Sequence, residues 1–425
     1  MKLYTTVIII VISISAQSLA AECDEFVAWV SPAKDAYFKE NRIYPIPSHI
    51  QELARQYMPR LWVHPQSWQP IDFEDYLLKS KLIRKADHKV LKVSPSARFL
   101  ASLNQKEQCG LYLDAAEIKP QNPAPVYIQA FWDENPADPK EKWTYIKYNL
   151  VFDWSGLAKE ISWLGRLGAW LSGGEMDRWH RLDIHVAAIL AFDSQNHFRL
   201  LTLAQHNHQQ TFLAAVDFPG DRRLQLVAAF RSNELYLDDD SRIPSRHRVV
   251  PFFSDVAYLI DPMEKPRFWA IDVAYGRNTG GKEVSLKPVF IEPKHPLADF
   301  GGLLGPPRRL LGHYIGRDGP PGFNFYAPPA YVSMAKFAAM GYWRDGDFDL
   351  LAKLNKLIRD KGDFRATDWN AVVALMRNHL ARAIRQQNLK KIKTEPQAFL
   401  TNSSTTNKFI RTMKKGNSCD EHRLC

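Results

Sequence analysis

The chain has no Gly-x-Ser-x-Gly elbow, no His-Glu-x-x-His helix and no Walker loop. Their absence removes the usual sequence signatures of α/β-hydrolases, of HExxH zinc proteases and of P-loop NTPases. Cysteine is scarce: Cys23, Cys109, Cys419 and Cys425 are the full set, and no two form a Cys-x-x-Cys pair, which argues against a zinc site. There is no internal repeat. After residue 20 no charge-free stretch approaches the length needed to cross a bilayer core of about 30 Å.

What is present begins at the N-terminus. Lys2 precedes an apolar run over residues 6–14 (TVIIIVISI), and Ser18-Leu19-Ala20 supplies a small-x-small site. A charged start, a short apolar core and a small-residue cleavage site make residues 1–20 a secretory signal peptide. The apolar core is too short for a membrane anchor, and Glu22 stands before Cys23 where a lipoprotein signal needs a small residue. The expected location is periplasmic or secreted. An even number of cysteines in an exported chain points to two disulfides. Sequence proximity favours Cys23–Cys109 with Cys419–Cys425, and a tail stapled to the body is the alternative. The net charge of +10 over 425 residues favours anionic surfaces such as lipid headgroups, acidic glycans or nucleic acid. Part of it lies in a solvated C-terminal tail (Lys390, Lys391, Lys393, Lys414, Lys415), and no specific nucleic-acid motif accompanies it.

Residues 48–58 read as a short helix capped by Ser48 and stopped by Pro59, and residues 68–77 enter a second helix. From residue 127 the period becomes two. Over 144–154, Ile146, Tyr148, Leu150, Phe152 and Trp154 fall on one side and Lys147, Asn149 and Asp153 on the other, the pattern of a half-buried strand. Further strand-like runs are 182–192, 199–205, 224–230, 249–259 and 267–274. Short strands with turn residues between them predict a mainly β fold, an antiparallel β-sandwich. Residues 157–171 carry Trp163, Leu164, Leu167 and Trp170 at helical spacing. Core packing is the default for such a segment, with a lid or a membrane-touching insertion as the rival. Trp62, Trp68, Trp132, Trp143 and Trp154 can form a stacking surface for sugars, although an aromatic core explains them more simply.

The expected organisation is a β-sandwich domain with N-terminal helices over 21–300, a Gly/Pro-rich loop over 301–330, a small helical cap over 331–392 and a basic polar tail over 393–425. In the cap, residues 331–342 and 348–360 read as helices. A longer helix capped by Thr367 carries Trp369, Val372, Val373, Met376, Leu380 and Ile384 in one stripe.

Acid, base and imidazole groups gather at Trp179-His180-Arg181-Leu182-Asp183-Ile184-His185 and at Gln205-His206-Asn207-His208. Strand alternation separates Arg181, Asp183 and His185 from His180, Leu182 and Ile184. A hairpin centred between Ser194 and Gln195 would set Asp183 opposite His206, Arg181 opposite His208 and His185 opposite Ala204, with Cβ atoms about 5 Å apart. That face offers Arg181, Asp183 and His208 to a ligand. It offers Asp183, His185 and His206 to a divalent metal with open positions for water, and a His beside an Asp as an oriented general base, with His185 and His206 the candidates. A salt-bridged sheet face, with Asp183 neutralised by Arg181, accounts for the same residues without a ligand. His64 and His313 are isolated candidates, and lone histidines are more often packed or hydrogen-bonded residues.

Three segments resemble the family named after vacuolar protein sorting-associated protein sixty-two. The first runs from Tyr57-Met58-Pro59-Arg60-Leu61-Trp62-Val63-His64 through Pro70 to Asp75-Tyr76-Leu77, and the second is Ile146-Lys147-Tyr148-Asn149. The third aligns Asp177-Arg178-Trp179-His180-Arg181 and Gln205-His206 with a family pattern of Gly-Asp-Trp-Glu-His and a later Gln-His. The resemblance spans roughly residues 55–260 and implies a β-sandwich but no activity. The related necrosis-inducing toxins bind a divalent metal through a similar His-Asp-Trp-Glu segment. Here His180 stands in the glutamate's place, so a metal role would fall to Asp177 and Asp183.

Three functions are therefore expected in order: a binder of a polar or anionic glycan or lipid headgroup, a metal-assisted hydrolase using Asp183, His185 and His206, and a membrane-active toxin inserting residues 157–171.

Overall fold

The computed structural model describes residues 37, 40–104, 107–108, 110–171, 175–184, 186–205, 209–217, 224–249, 270–306, 309–310, 313–314, 333–342, 348–359 and 368–391. All four cysteines, the segment expected to be a signal peptide and the expected polar tail lie outside them, as do Thr367 and residues 250–259 of the strand expected over 249–259.

The chain is mainly strand, in several sheets that are largely antiparallel. The largest sheet has six strands in the spatial order Gln209–Leu213, Phe198–Ala204, Ala187–Phe192, Asp138–Asn149, Ala124–Asn135 and Leu286–Phe290. A second has four: Leu235–Leu237, Gln225–Ala228, Arg60–Val63 and Lys282–Val284. Among the strands of these two sheets two pairings are parallel, Arg60–Val63 with Gln225–Ala228 and Leu286–Phe290 with the start of Ala124–Asn135. Both join strands far apart in sequence, which hairpin reasoning does not reach.

The apolar faces of the two sheets share one core. Leu61, Val63, Leu226, Ala228, Leu235 and Val284 from the smaller sheet meet Val126, Ile128, Ile146, Tyr148, Ala188, Leu190, Leu201 and Leu203 from the larger. Alternation in each strand sends these residues inward together. The opposite face of the six-stranded sheet is also covered. Tyr145, Ile189 and Leu200 pack there against the helices Met334–Met340 and Trp369–Lys391, through Phe337, Ala338, Val373, Leu380 and Ile384. Of the expected stripe on the last helix, Val373, Leu380 and Ile384 face the sheet, while Val372 and Met376 pack on the helix Phe348–Arg359.

That second cover corrects the half-buried strand expected over 144–154. Lys147, Asn149 and Asp153 are all buried. The run is also two strands, Asp138–Asn149 in the large sheet and Phe152–Ser155 in a separate pair. Burial lowers the Lys147 ammonium to about 7, with Arg42 adding to the shift.

The helices near the N-terminus are shorter than expected. Ser48–Gln56 has Pro47, not Ser48, at its cap, and Phe73–Leu78 is capped by the Asp72 carboxylate accepting from the Glu74 amide. The expectation for residues 157–171 fails more instructively. The helix Trp163–Leu171 leaves Trp163, Leu167 and Trp170 exposed to solvent at 71, 42 and 73%. Its small residues face inward instead.

Candidate functional site

The strand expected over 182–192 breaks. His180–Asp183 pairs antiparallel with Phe152–Ser155, setting Asp183 opposite Phe152 and Arg181 opposite Trp154. Ala187–Phe192 joins the large sheet and pairs with Phe198–Ala204. Ala187 faces Ala204, two residues from the expected register. The turn explains the offset. Asp193 accepts from the Gln195 and His197 amides and from Arg199, and a register shift follows between Ala191 and Phe192. The loop is therefore longer than a two-residue turn. Arg181 and Asp183 are thus ordered in a different ladder from the Ala187–Ala204 hairpin. His185, His206 and His208 lie outside the described residues.

Arg181 is buried against Asp153, its guanidinium 2.8 Å from the carboxylate, and it donates to the Ala116 carbonyl at 2.5 Å. Burial lifts the Asp153 carboxyl to about 6, although Arg181 and the Ile118 amide pull it down. Three consecutive residues therefore clamp this place: the Ala116 carbonyl holds Arg181, the Ile118 amide holds Asp153, and Glu117 lies 3.7 Å from Arg178.

The two arginines alternate with aromatic rings. Arg178 lies 5.4 Å from the Trp68 ring and 5.5 Å from the Trp154 ring, and Arg181 lies 4.7 Å from Trp154 and 5.8 Å from Tyr76. Each contact is within cation–π range. The Trp68 indole N–H donates to the Asp177 carbonyl at 2.9 Å, which ties the ladder's outer end to the segment that carries Arg178. Of the tryptophans considered for stacking, Trp62 and Trp143 are core residues, Trp132 is exposed alone, and Trp68 and Trp154 come together. Arg181 Nε and Trp154 Nε1 are buried without a hydrogen-bond partner among the described residues.

Asp183 is fully buried. It accepts from the Asn233 amide at 2.9 Å, and the same amide donates to the Trp154 carbonyl at 2.8 Å. Asn233 belongs to the tight connection between Gln225–Ala228 and Leu235–Leu237, where the Asn233 amide bonds the Ala229 carbonyl and the Ala229 amide bonds the Glu234 carbonyl. Alternate residues of this connection reach two places. Asn233 goes to Asp183, while Ser232 and Tyr236 go to Asp272, at 2.7 and 2.8 Å. Tyr236 also lies 3.1 Å from Glu234 and stacks on His247 with centroids 3.6 Å apart. The Tyr236 hydroxyl therefore faces two buried carboxyls. Burial and the adjacent Glu234 keep Asp272 well above the usual carboxylate range.

Backbone strain concentrates at this place. Leu182 has φ of 50°, Arg231 76° and Asn233 61°. Asparagine tolerates the left-handed region; leucine and arginine enter it only where surroundings compel them. Gly156 is required beside them. A Cβ there would lie 2.9 Å from the Arg231 carbonyl oxygen and 3.0 Å from that of Met176.

Sequence reasoning finds Arg181 and Asp183 but misses Asp153, Asn233, Glu234 and Asp272 as their companions. Asn233 has one available sign, its place in a polar Arg-Ser-Asn-Glu run between two strand-like segments. His64, the other isolated candidate that can be placed with its neighbours, packs on Phe230 and Tyr275. Burial and Lys159 lower its imidazole below the usual value. His313 lies in a two-residue strand with Tyr314. Among the described residues no group of three His, Cys, Asp or Glu side chains is placed to hold a metal. Comparison with protein-family models, with curated proteins and with solved structures finds no match, so nothing is carried over from a relative.

Proposed function

We propose that the chain is an exported β-sandwich protein with a helical cap, distantly related to the family of vacuolar protein sorting-associated protein sixty-two, that binds an anionic ligand. The ligand is an acidic glycan or a lipid headgroup, and its contact surface is formed by Trp68, Trp154 and Arg178. The core shared by two sheets supports the sandwich reading. The observation that carries the binding reading is the ladder of alternating arginines and rings, whose outer arginine is 40% exposed and whose inner arginine is buried against Asp153.

The chemistry follows from the ends of that ladder. Indole faces accept the C–H surface of a sugar ring, and a guanidinium accepts carboxylate or phosphate oxygens in pairs. Glu117 is a weak resident partner: exposed ion pairs are worth about 0–1 kcal/mol, so a ligand anion can displace it from Arg178. Arg181 and Asp183 then act as the floor that fixes Trp154, rather than as direct contacts.

The test is calorimetric titration of the mature protein with carboxylated oligosaccharides, their neutral counterparts and glycerol phosphate. Arg178→Ala and Trp68→Ala should each weaken binding of the anionic probes at least tenfold while the fold persists. Equal affinity for neutral and acidic sugars, or unchanged binding by Arg178→Ala, would sink the reading.

A further inference from the structure

The helix Trp163–Leu171 is built the wrong way round for a soluble surface. At 100° per residue, Gly165 and Ala169 lie on one side, and Trp163, Leu167 and Trp170 lie within about 60° of one another on the other. The small side faces the protein. A Cβ on Gly165 would lie 2.6 Å from the Ile161 side chain, and Ala169 is buried. The large side faces out, with Arg166 exposed at its edge. Neither exposed tryptophan ring packs against another ring, and Arg166 has no ion pair, among the described residues.

The helix also has basic company. Glu160–Ile161, the two-residue strand just before it, belongs to a three-stranded sheet whose far strand is Ser245–Val249. That strand supplies Arg246, and the segment leading into it supplies Arg242 and Ile243, both exposed, the latter at 67%. Glu160 is already paired with Arg246. Arg166 and Arg242 have no ion pair among the described residues, and Asp238, Asp239 and Asp240 precede Arg242, so it is the net charge of +10 over the chain, not a local excess, that favours an anionic surface.

We infer that this helix is a docking element for an anionic lipid bilayer, with Trp163 and Trp170 seated at the headgroup level and Arg166 on the lipid phosphates. Tryptophan is amphipathic enough to settle at that depth, and interfacial helices combine an aromatic face with basic residues. Nine residues span about 13 Å along the helix axis, so the element lies on the surface rather than crossing it. No helix among the described residues is long and apolar enough to cross a membrane. A second copy of the chain is a poorer occupant. The three exposed side chains present roughly 400 Å², whereas a stable protein interface needs about 800 Å² from each partner.

This inference is independent of the ligand surface at Trp68 and Arg178. The experiment is sedimentation of the full chain with vesicles of phosphatidylcholine alone or with about 30% phosphatidylglycerol as the probe, with tryptophan emission recorded. Wild type should pellet with the anionic vesicles at least tenfold better than with neutral ones, and its emission should shift to the blue. The double variant Trp163→Ala/Trp170→Ala should lose at least tenfold in vesicle affinity with unchanged circular dichroism and unchanged oligosaccharide binding. Arg166→Glu should weaken anionic binding alone. Equal binding by the double variant overturns the inference. So does a wild-type dimer that the double variant converts to monomer without loss of vesicle binding.

Discussion

The Asn233 side-chain amide lies 2.9 Å from the carboxylate of the fully buried Asp183, and its second hydrogen is given to the Trp154 carbonyl. One side chain thereby joins the connection before Leu235–Leu237 to both strands of the Phe152–Ser155/His180–Asp183 pair. Asn233→Ala removes a donor to a buried carboxylate, which costs about 3 kcal/mol. Urea denaturation should show that loss. Asn233→Asp should be worse at neutral pH than at pH 4, since it sets a second carboxylate against Asp183. A loss below about 0.5 kcal/mol in Asn233→Ala, the lower end for a single hydrogen bond, would mean that the bond is not made in solution.

Asp153 gives stability a definite pH slope. Its carboxyl titrates near 6 in the folded chain, against 3.8 as the ordinary value, because it is buried. The native state therefore takes up the proton first, and this group's contribution to stability rises as pH falls from about 6 to about 4. The full swing is roughly 3 kcal/mol, since each tenfold gain in proton affinity is worth about 1.4 kcal/mol. The difference between wild-type and Asp153→Asn stability, measured across that window, should grow toward acid. A flat difference would place the Asp153 proton elsewhere.

Lys147 has the opposite sign. Its ammonium is lowered to about 7 from 10.5, chiefly by burial in the large sheet. The unfolded chain binds that proton more readily, so stability rises with pH between about 7 and 10.5. Lys147→Met should raise the melting temperature at pH 6 by the equivalent of about 2 kcal/mol and flatten the alkaline rise. A lower melting temperature at pH 6 would show that the amine is needed by its neighbours.

Gly156→Ala tests the close approach beneath the ladder. The added methyl meets backbone oxygens of Arg231 and Met176, neither of which can rotate away. The Gly156 amide also bonds the Arg231 carbonyl at 2.7 Å, so relief would break that bond. The expected cost is about 2 kcal/mol or more, read from thermal unfolding. Because the connection carrying Asn233 would shift with Arg231, affinity for the anionic probes should fall as well.

Period-two alternation is a sound guide to which residues turn inward in the long strands, as Ile146, Tyr148 and Leu150 show. The stripe on Trp369–Lys391 is equally legible, because helical spacing sums over several turns. Alternation fails at Ile184, where the run of apolar residues continues but the backbone leaves one sheet for another, with Leu182 in the left-handed region. No local pattern marks such a transfer. The partners of Arg181 and Asp183 are hidden for a similar reason: Asp153 stands 28 residues before Arg181 and Asn233 stands 50 residues after Asp183, and each approaches from another strand or connection. The outward tryptophans of Trp163–Leu171 escape a reading that assigns burial by apolarity. The small residues Gly165 and Ala169 decide the packed side, and neither ranks high on an apolar scale.

The pairing of Arg60–Val63 also sets a timetable. Its parallel neighbour begins at Gln225 and its antiparallel one at Lys282, so Arg60 precedes them by 165 and 222 residues. At roughly 5–20 residues per second, the ribosome needs on the order of ten seconds or more to deliver the first partner. Until then Leu61, Trp62 and Val63 have no sheet to enter, and the smaller sheet cannot close. On the proposed export route, that delay keeps the chain unfolded while its N-terminus is already available. The same delay makes the emerging N-terminal quarter the stretch most in need of a holding chaperone.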